Sequence, residues 1–135
     1  MNVILVDSSA WFAHLRQSPG PTAAGMLELI ETGPELAITE PISMELLAGA
    51  DTDPRAEVID RLVNGLVLLS VDRQLDFHQA AMIFRAVRRT GRTPHSMVDC
   101  LIAAIATRHD VELAHNDADF DAIAACWPLR ARPLR

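Results

Sequence analysis

The chain has 135 residues, half of them hydrophobic and 22% charged, a composition that suits one globular domain spanning 1–135. No apolar run reaches the length of a membrane span, and no basic leader precedes the first apolar segment, so the sequence predicts a cytoplasmic protein without membrane segments. Net charge is −6, and all twelve basic residues are arginine; without lysine a P-loop and Schiff-base chemistry are excluded.

In chain order, Asn2–Val6 predicts a buried strand closed by Asp7-Ser8-Ser9. A short helix over Ala10–Arg16 should follow, broken by Ser18-Pro19-Gly20-Pro21. Thr22–Thr32 carries apolar residues at helical spacing and ends at Gly33-Pro34. Glu35–Thr39 predicts a second strand. Pro41–Ala50 predicts a helix with proline in its first turn and Gly49 near its end. Arg55–Asn64 is another helix and Leu66–Val71 a third strand. Gln74–Thr90 is the longest predicted helix. Ser96–His109 is an apolar helix, Glu112–His115 a fourth strand, Asp119–Cys126 a last helix and Leu129–Pro133 an edge strand. Strands alternating with helices imply an α/β fold with a mostly parallel sheet covered on both faces. Ligands of such sheets bind beyond the carboxyl ends of the strands.

Five acids stand in or beside apolar sequence: Asp7, Glu45, Asp99, Asp117 and Asp119. A carboxylate there is costly unless something satisfies it, and a hard divalent cation would. Each also fits a structural role. Asp7 and Asp117 suit helix N-caps. Glu45 fits a solvated helix face, Ser96-x-x-Asp99 resembles a capping box, and Asp119 suits a first helical turn. Asp117-x-Asp119-x-Asp121 is not a calcium loop, because Ala122 and Pro128 stand where such a loop needs Gly and Glu. Asp121 fits the solvated side of the last helix, and Glu40 fits a helix start or a support for the acidic site.

Of the histidines, His14, His78 and His109 read as surface or core residues. His95 lies in a Pro94-His95-Ser96 loop and is a candidate phosphate contact. His115 precedes the acidic loop and either orients a carboxylate or is structural. Cys100 and Cys126 match no zinc spacing and read as free buried thiols. Arg85, Arg88, Arg89 and Arg92 cluster at the end of the longest helix, suited either to phosphate or to a solvated helix end. Arg130, Arg132 and Arg135 form a second basic tail. With no Tyr, and only Trp11 and Trp127 as large amphipathic aromatics, a base-stacking platform is not expected.

Taken together, Val6-Asp7-Ser8-Ser9-Ala10-Trp11, Glu45-Leu46-Leu47-Ala48-Gly49, Asp99-Cys100-Leu101-Ile102-Ala103-Ala104 and Asp117-Ala118-Asp119-Phe120 closely resemble the PIN-domain nucleases. More narrowly they look like VapC ribonuclease toxins of toxin–antitoxin pairs. The resemblance covers essentially the whole chain. It implies a three-layer α/β/α domain, Mg2+- or Mn2+-dependent endoribonuclease activity on RNA, a homodimer and inhibition by a VapB-type antitoxin. It makes tRNA the first expected substrate and ribosomal RNA the second. Asp7, Glu45, Asp99 and Asp117 match the family's core catalytic and metal-binding acids, and Asp119 an additional metal-binding acid. Many members carry Thr or Ser where this chain has His115, so that hydroxyl's role is not transferred. Trp11 and Phe12, with an apolar face of Thr22–Thr32, form a candidate antitoxin wall, with simple core burial as the alternative for them. Two other readings stand beside this one. A catalytically inactive partner-binding module would not require these acids together. A phosphomonoesterase would need a second aspartate in Asp7-Ser8-Ser9.

Overall fold

The computed structural model describes residues 2–135. Val3–Val6 forms β1, whose unbroken apolar run suits a strand covered on both faces. It pairs in parallel with β2 (Glu35–Ile38) on one side and with β4 (Glu112–His115) on the other. β3 (Val67–Leu68) pairs with β2, and β5 (Ala131–Pro133) with β4, both also in parallel. The sheet order is therefore β3-β2-β1-β4-β5. Pro133 is tolerated in β5 because that strand lies at the edge.

Helices α1 (Ser8–Leu15) and α2 (Pro21–Thr32) link β1 to β2, and α3 (Glu40–Ala48) and α4 (Asp53–Asn64) link β2 to β3. The return runs through α5 (Leu75–Arg89) and α6 (Met97–His109) to β4, and α7 (Ala118–Ala124) leads to β5. The first two crossovers step one way along the sheet and the last two step the other way. Right-handed connections then place α1–α4 on one face and α5–α7 on the opposite face. The packing of α1 on α2 and α3, and of α6 on α5 and α7, agrees with these layers. The expected α/β/α architecture is borne out, and among the described residues every strand pairing is parallel.

The direction of winding reverses between β1 and β4, which makes their carboxyl ends the ligand-binding crevice of such a sheet. Asp7 follows β1 directly and Asp117 lies two residues past β4. Helix α6 buries Cys100, Ile102, Ala103, Ala104, Ile105 and Ala106. A helix apolar on most of its circumference is an interior helix, and its burial holds Asp99 in place.

The predicted third strand, Leu66–Val71, is too long. Only Val67 and Leu68 are strand. The Val71 N–H donates to Glu40 Oε1 at 2.9 Å, and the Ser70 carbonyl accepts from Arg108 Nη2 at 2.7 Å. Side chains thus take the backbone groups that a longer strand would have paired, and Glu40 serves as both helix-start residue and loop anchor. Helix starts also shift. Asp7 caps α1 so that it begins at Ser8 rather than Ala10, and Thr52 caps α4 so that it begins at Asp53 rather than Arg55. Asp117 caps α7 from Ala118. Cys100 is a free buried thiol, while Cys126 is free but only half-buried.

Candidate active site

Asp7 leaves the sheet at the end of β1 with its N–H on the Ala114 carbonyl at 2.9 Å. Its Oδ2 accepts the Ser9 N–H at 3.0 Å and the Ser9 hydroxyl at 2.6 Å. Its Oδ1 is buried and without a partner. Burial raises the Asp7 pKa against the lowering effect of the Ser9 hydrogen bonds, and the nearby Asp117 adds to the rise.

Asp99 and Asp117 come from α6 and from the turn after β4. With Asp119 they form a group whose ligand oxygens lie within 4.8 Å of one another. Asp99 is pushed up to about 9, first by burial, then by its hydrogen bond with Asp119 and by the charges of Asp117 and Asp7. Without a cation, that rise favours the protonated carboxyl, hydrogen-bonded to Asp119. Asp119 is held below the usual range. Burial pushes it up, but hydrogen bonds from His95 and Asp99 more than offset that.

Glu45 reaches the crevice from α3, accepting the Ser8 hydroxyl at 3.1 Å. Burial, then the charges of Asp7 and Asp117, raise its pKa. All five sequence-predicted acids thus converge on one end of the sheet. Asp99, Asp117 and Asp119 form the tight group, while Asp7 and Glu45 stand outside it yet close enough to feel its charge. The donor set suits a hard divalent cation: it is all carboxylate, and it includes an unpartnered buried oxygen on Asp7.

Residues 4–125 match the PIN domain. The chain belongs to the PIN-domain family. It is 46% identical to Ribonuclease VapC11 of Mycobacterium tuberculosis over 134 residues, 98% of this chain and 100% of that protein. This places the PIN domain in the VapC group. Its fold is similar to VapBC-1 from nontypeable Haemophilus influenzae (TM-score 0.76, 16% identity, 98% of each chain covered). It is likewise similar to VapBC2 from Rickettsia felis (TM-score 0.75, 15% identity, covering 98% of this chain and 99% of that one).

The acidic end of the sheet also holds two residues to which sequence reasoning gave no role. Ser8 and Ser9 tether Glu45 and Asp7, and the only advance signal was their place directly after Asp7. The capping box at Ser96-x-x-Asp99 is half made. Ser96 Oγ accepts the Val98 and Asp99 N–H groups at 3.1 and 3.4 Å, but the Ser96 N–H goes to Asp119 Oδ2 at 3.2 Å instead of to Asp99. His115 is fully buried, and its Nδ1 accepts the Asp117 N–H at 3.1 Å, so it does orient the acidic turn. That bond places the ring proton on Nε2, which lies 3.8 Å from Asp121 Oδ1. Burial lowers the His115 pKa and keeps the ring neutral.

The two basic groups differ. Arg85, Arg88, Arg89 and Arg92 are exposed, and none forms an ion pair among the described residues. The tail is not a free basic patch. Arg130 pairs with Asp110, Arg132 with Glu112 through two 2.8 Å bonds, and Arg135 with Asp121. Those pairs fasten the β5 segment and neutralise it locally.

Proposed function

We propose that this protein is a divalent-metal-dependent endoribonuclease toxin that hydrolyses RNA phosphodiester bonds, with residues 1–135 acting as one PIN unit. The grouping of Asp99, Asp117 and Asp119 beside Asp7 at the sheet's switch point carries the reading. The full-length similarity to VapC ribonucleases supports it. Asp7, Asp99 and Asp117 would hold a Mg2+ or Mn2+ ion, and Asp119 would hold a second ion or a water. The bound cation supplies a Lewis acid that activates water and steadies the leaving 3′-oxygen. Glu45, with its pKa raised, is suited to take a proton from the attacking water or to bind the cation through water. Ser8 and Ser9 orient Glu45 and Asp7. Arg85, Arg88, Arg89 and Arg92 would meet the RNA backbone, with recognition by shape more than by base stacking. Transfer RNA is the first candidate substrate and ribosomal RNA the second.

The proposed regulator is a VapB-type antitoxin, and the toxin is proposed to act as a homodimer. A groove of about 490 Å³ runs between α1 and α3–α4, lined by Phe12, Leu15, Val58 and Ile59 and by the polar side chains of Arg16, Gln17, Asp51 and Arg55. Spaced apolar anchors of an antitoxin helix or strand would fit it. Of the two candidate wall residues, Trp11 is 2% exposed and takes the core-burial alternative, while Phe12 is half-buried and faces the groove. Leu27 and Ile30 of α2 are exposed, as expected for an apolar face on that helix.

The test is cleavage of tRNA and ribosomal RNA by purified protein, with EDTA, then with Mg2+ or Mn2+ restored. Cleavage that persists unchanged in EDTA would reject the metal, and no cleavage of any RNA under any condition would reject the nuclease.

A further inference from the structure

The turn at Pro94-His95-Ser96 has no part in the proposed chemistry, yet it grips the acidic site. Asp119 Oδ2 accepts two backbone N–H groups, from His95 at 2.9 Å and from Ser96 at 3.2 Å. Asp119 Oδ1 meets His95 Nδ1 at 2.8 Å. A carboxylate offers about four acceptor positions. Residues 95 and 96 fill three of them, which leaves about one for the proton of Asp99 or for a cation in its place. Pro94 is buried and fixes the turn, whereas the His95 side chain is 90% exposed. The ring therefore has no packing role in the core. Its one polar partner among the described residues is the Asp119 carboxylate.

Because a carboxylate only accepts, Nδ1 must be the donor in this bond. The two backbone bonds restrain the carboxylate through Oδ2, and a ring that donates through Nδ1 adds the restraint on Oδ1, so that both oxygens are held. The locked carboxylate presents its single remaining acceptor position toward Asp99 and Asp117. We propose that His95 is a positioning residue for Asp119: its Nδ1–H fixes the carboxylate in the orientation that a divalent cation shares with Asp99 and Asp117. The proposal rests on the metal-site reading of these acids and adds a residue to it.

Groups that orient metal ligands change metal affinity by about 10–100-fold when removed. Removing the imidazole should therefore weaken cation binding at least about tenfold. His95→Asn keeps a short-chain N–H near the position of Nδ1 and should recover most of the loss, whereas His95→Ala should not. Cleavage should follow the same pattern, with more Mn2+ needed for half-maximal rate in His95→Ala and kcat largely restored at saturating metal.

The experiment is calorimetric titration of the metal-free wild type, His95→Ala and His95→Asn with Mn2+ alone. It is paired with nitrogen-15 NMR of the His95 ring in the metal-free wild type. The expected results are a protonated, hydrogen-bonded Nδ1, weakened binding in His95→Ala and near-normal binding in His95→Asn. Equal or tighter Mn2+ binding by a folded His95→Ala, or an unprotonated Nδ1, would overturn the positioning role and leave the metal site standing. A wild type that binds no Mn2+ would overturn the metal-site reading and this role with it.

Discussion

The Ser9 hydroxyl spans the switch point of the sheet. It donates to Asp7 Oδ2 at 2.6 Å and accepts the Asn116 N–H at 2.9 Å. One oxygen thus ties the acid after β1 to the turn that carries Asp117, and sets Asp7 with its unpartnered Oδ1 left over. Ser9→Ala should lower RNA cleavage by about tenfold while costing on the order of 1 kcal/mol of stability, the worth of a typical hydrogen bond. Cleavage kinetics beside urea unfolding separate the two effects. A full rate in the alanine variant would show that Asp7 needs no such tether.

Asp7→Asn and Asp99→Asn should each abolish cleavage and leave the fold intact. The amide keeps the shape of the acid but loses the anionic ligand. Burial already disfavours charge at both positions, so neither change should lower the melting temperature of the metal-free protein. Circular dichroism melts and cleavage assays with Mg2+ or Mn2+ provide the check. A wild-type rate in either variant removes that residue from the proposed chemistry.

Asp99 makes metal-free stability depend on pH. In the folded chain its carboxyl keeps its proton up to about 9, while the unfolded chain releases it near the ordinary value of 3.8. Between those values the folded state binds the extra proton, so raising pH favours unfolding. Its stabilising contribution is whole below about pH 4 and is lost as pH rises toward 9. A cation must displace the same proton, so binding should release about one proton near pH 7 and weaken on acidification. Calorimetry in two buffers of different ionisation enthalpy measures that release; none at all would mean Asp99 is not a ligand.

The architecture was legible because central parallel strands are apolar along their whole length, as Val3–Val6 is, and because helices separate them. The acids were legible because each interrupts such sequence. The short β3 was not, since what ends it comes from Glu40 and Arg108, 31 and 38 residues from the backbone groups that they bind. The bidentate pairing of Arg108 with the buried Asp76 was equally hidden, because the partners are 32 residues apart. The basic tail misled for the opposite reason. Its arginines look free in sequence, while their acids lie 14 to 20 positions away. His95 was visible only as a loop residue and candidate phosphate contact, because its partner Asp119 is 24 residues on.

Arg85, Arg88, Arg89 and Arg92 are exposed, and Arg88 lies over the Phe84 ring with 6.0 Å to its centroid. If they contact the RNA backbone, replacing Arg88 and Arg89 together by alanine should weaken binding of unrelated RNAs alike. The dependence of log K on log salt should flatten by about one unit per lost contact. Binding measured across a salt series gives the answer, and an unchanged slope would make these arginines a solvated helix end.

Gly49 lies against Phe12 more closely than any larger residue could. A Cβ at Gly49 would stand 2.7 Å from Phe12 Cζ and 2.8 Å from Cε1, so the ring would have to move. The glycine keeps an ordinary helical φ of −79°, so close approach, not backbone freedom, requires it. Phe12 is half-buried beneath Arg16, which stacks 4.5 Å from its ring centroid, and both line the groove between α1 and α3–α4. Gly49→Ala should therefore push the ring into the groove, and Phe12→Ala should remove an apolar anchor from its wall. If the proposed antitoxin docks in this groove, each should weaken its binding by about tenfold or more, in line with the loss of one buried interface anchor. RNA cleavage by the free toxin should change little, because neither residue touches the acids. Titration of each variant with the antitoxin, read by calorimetry and by residual cleavage, makes the comparison. Unaltered affinity in both variants would move the antitoxin to another surface, and a tight complex that cleaved RNA at full rate would reject inhibition altogether.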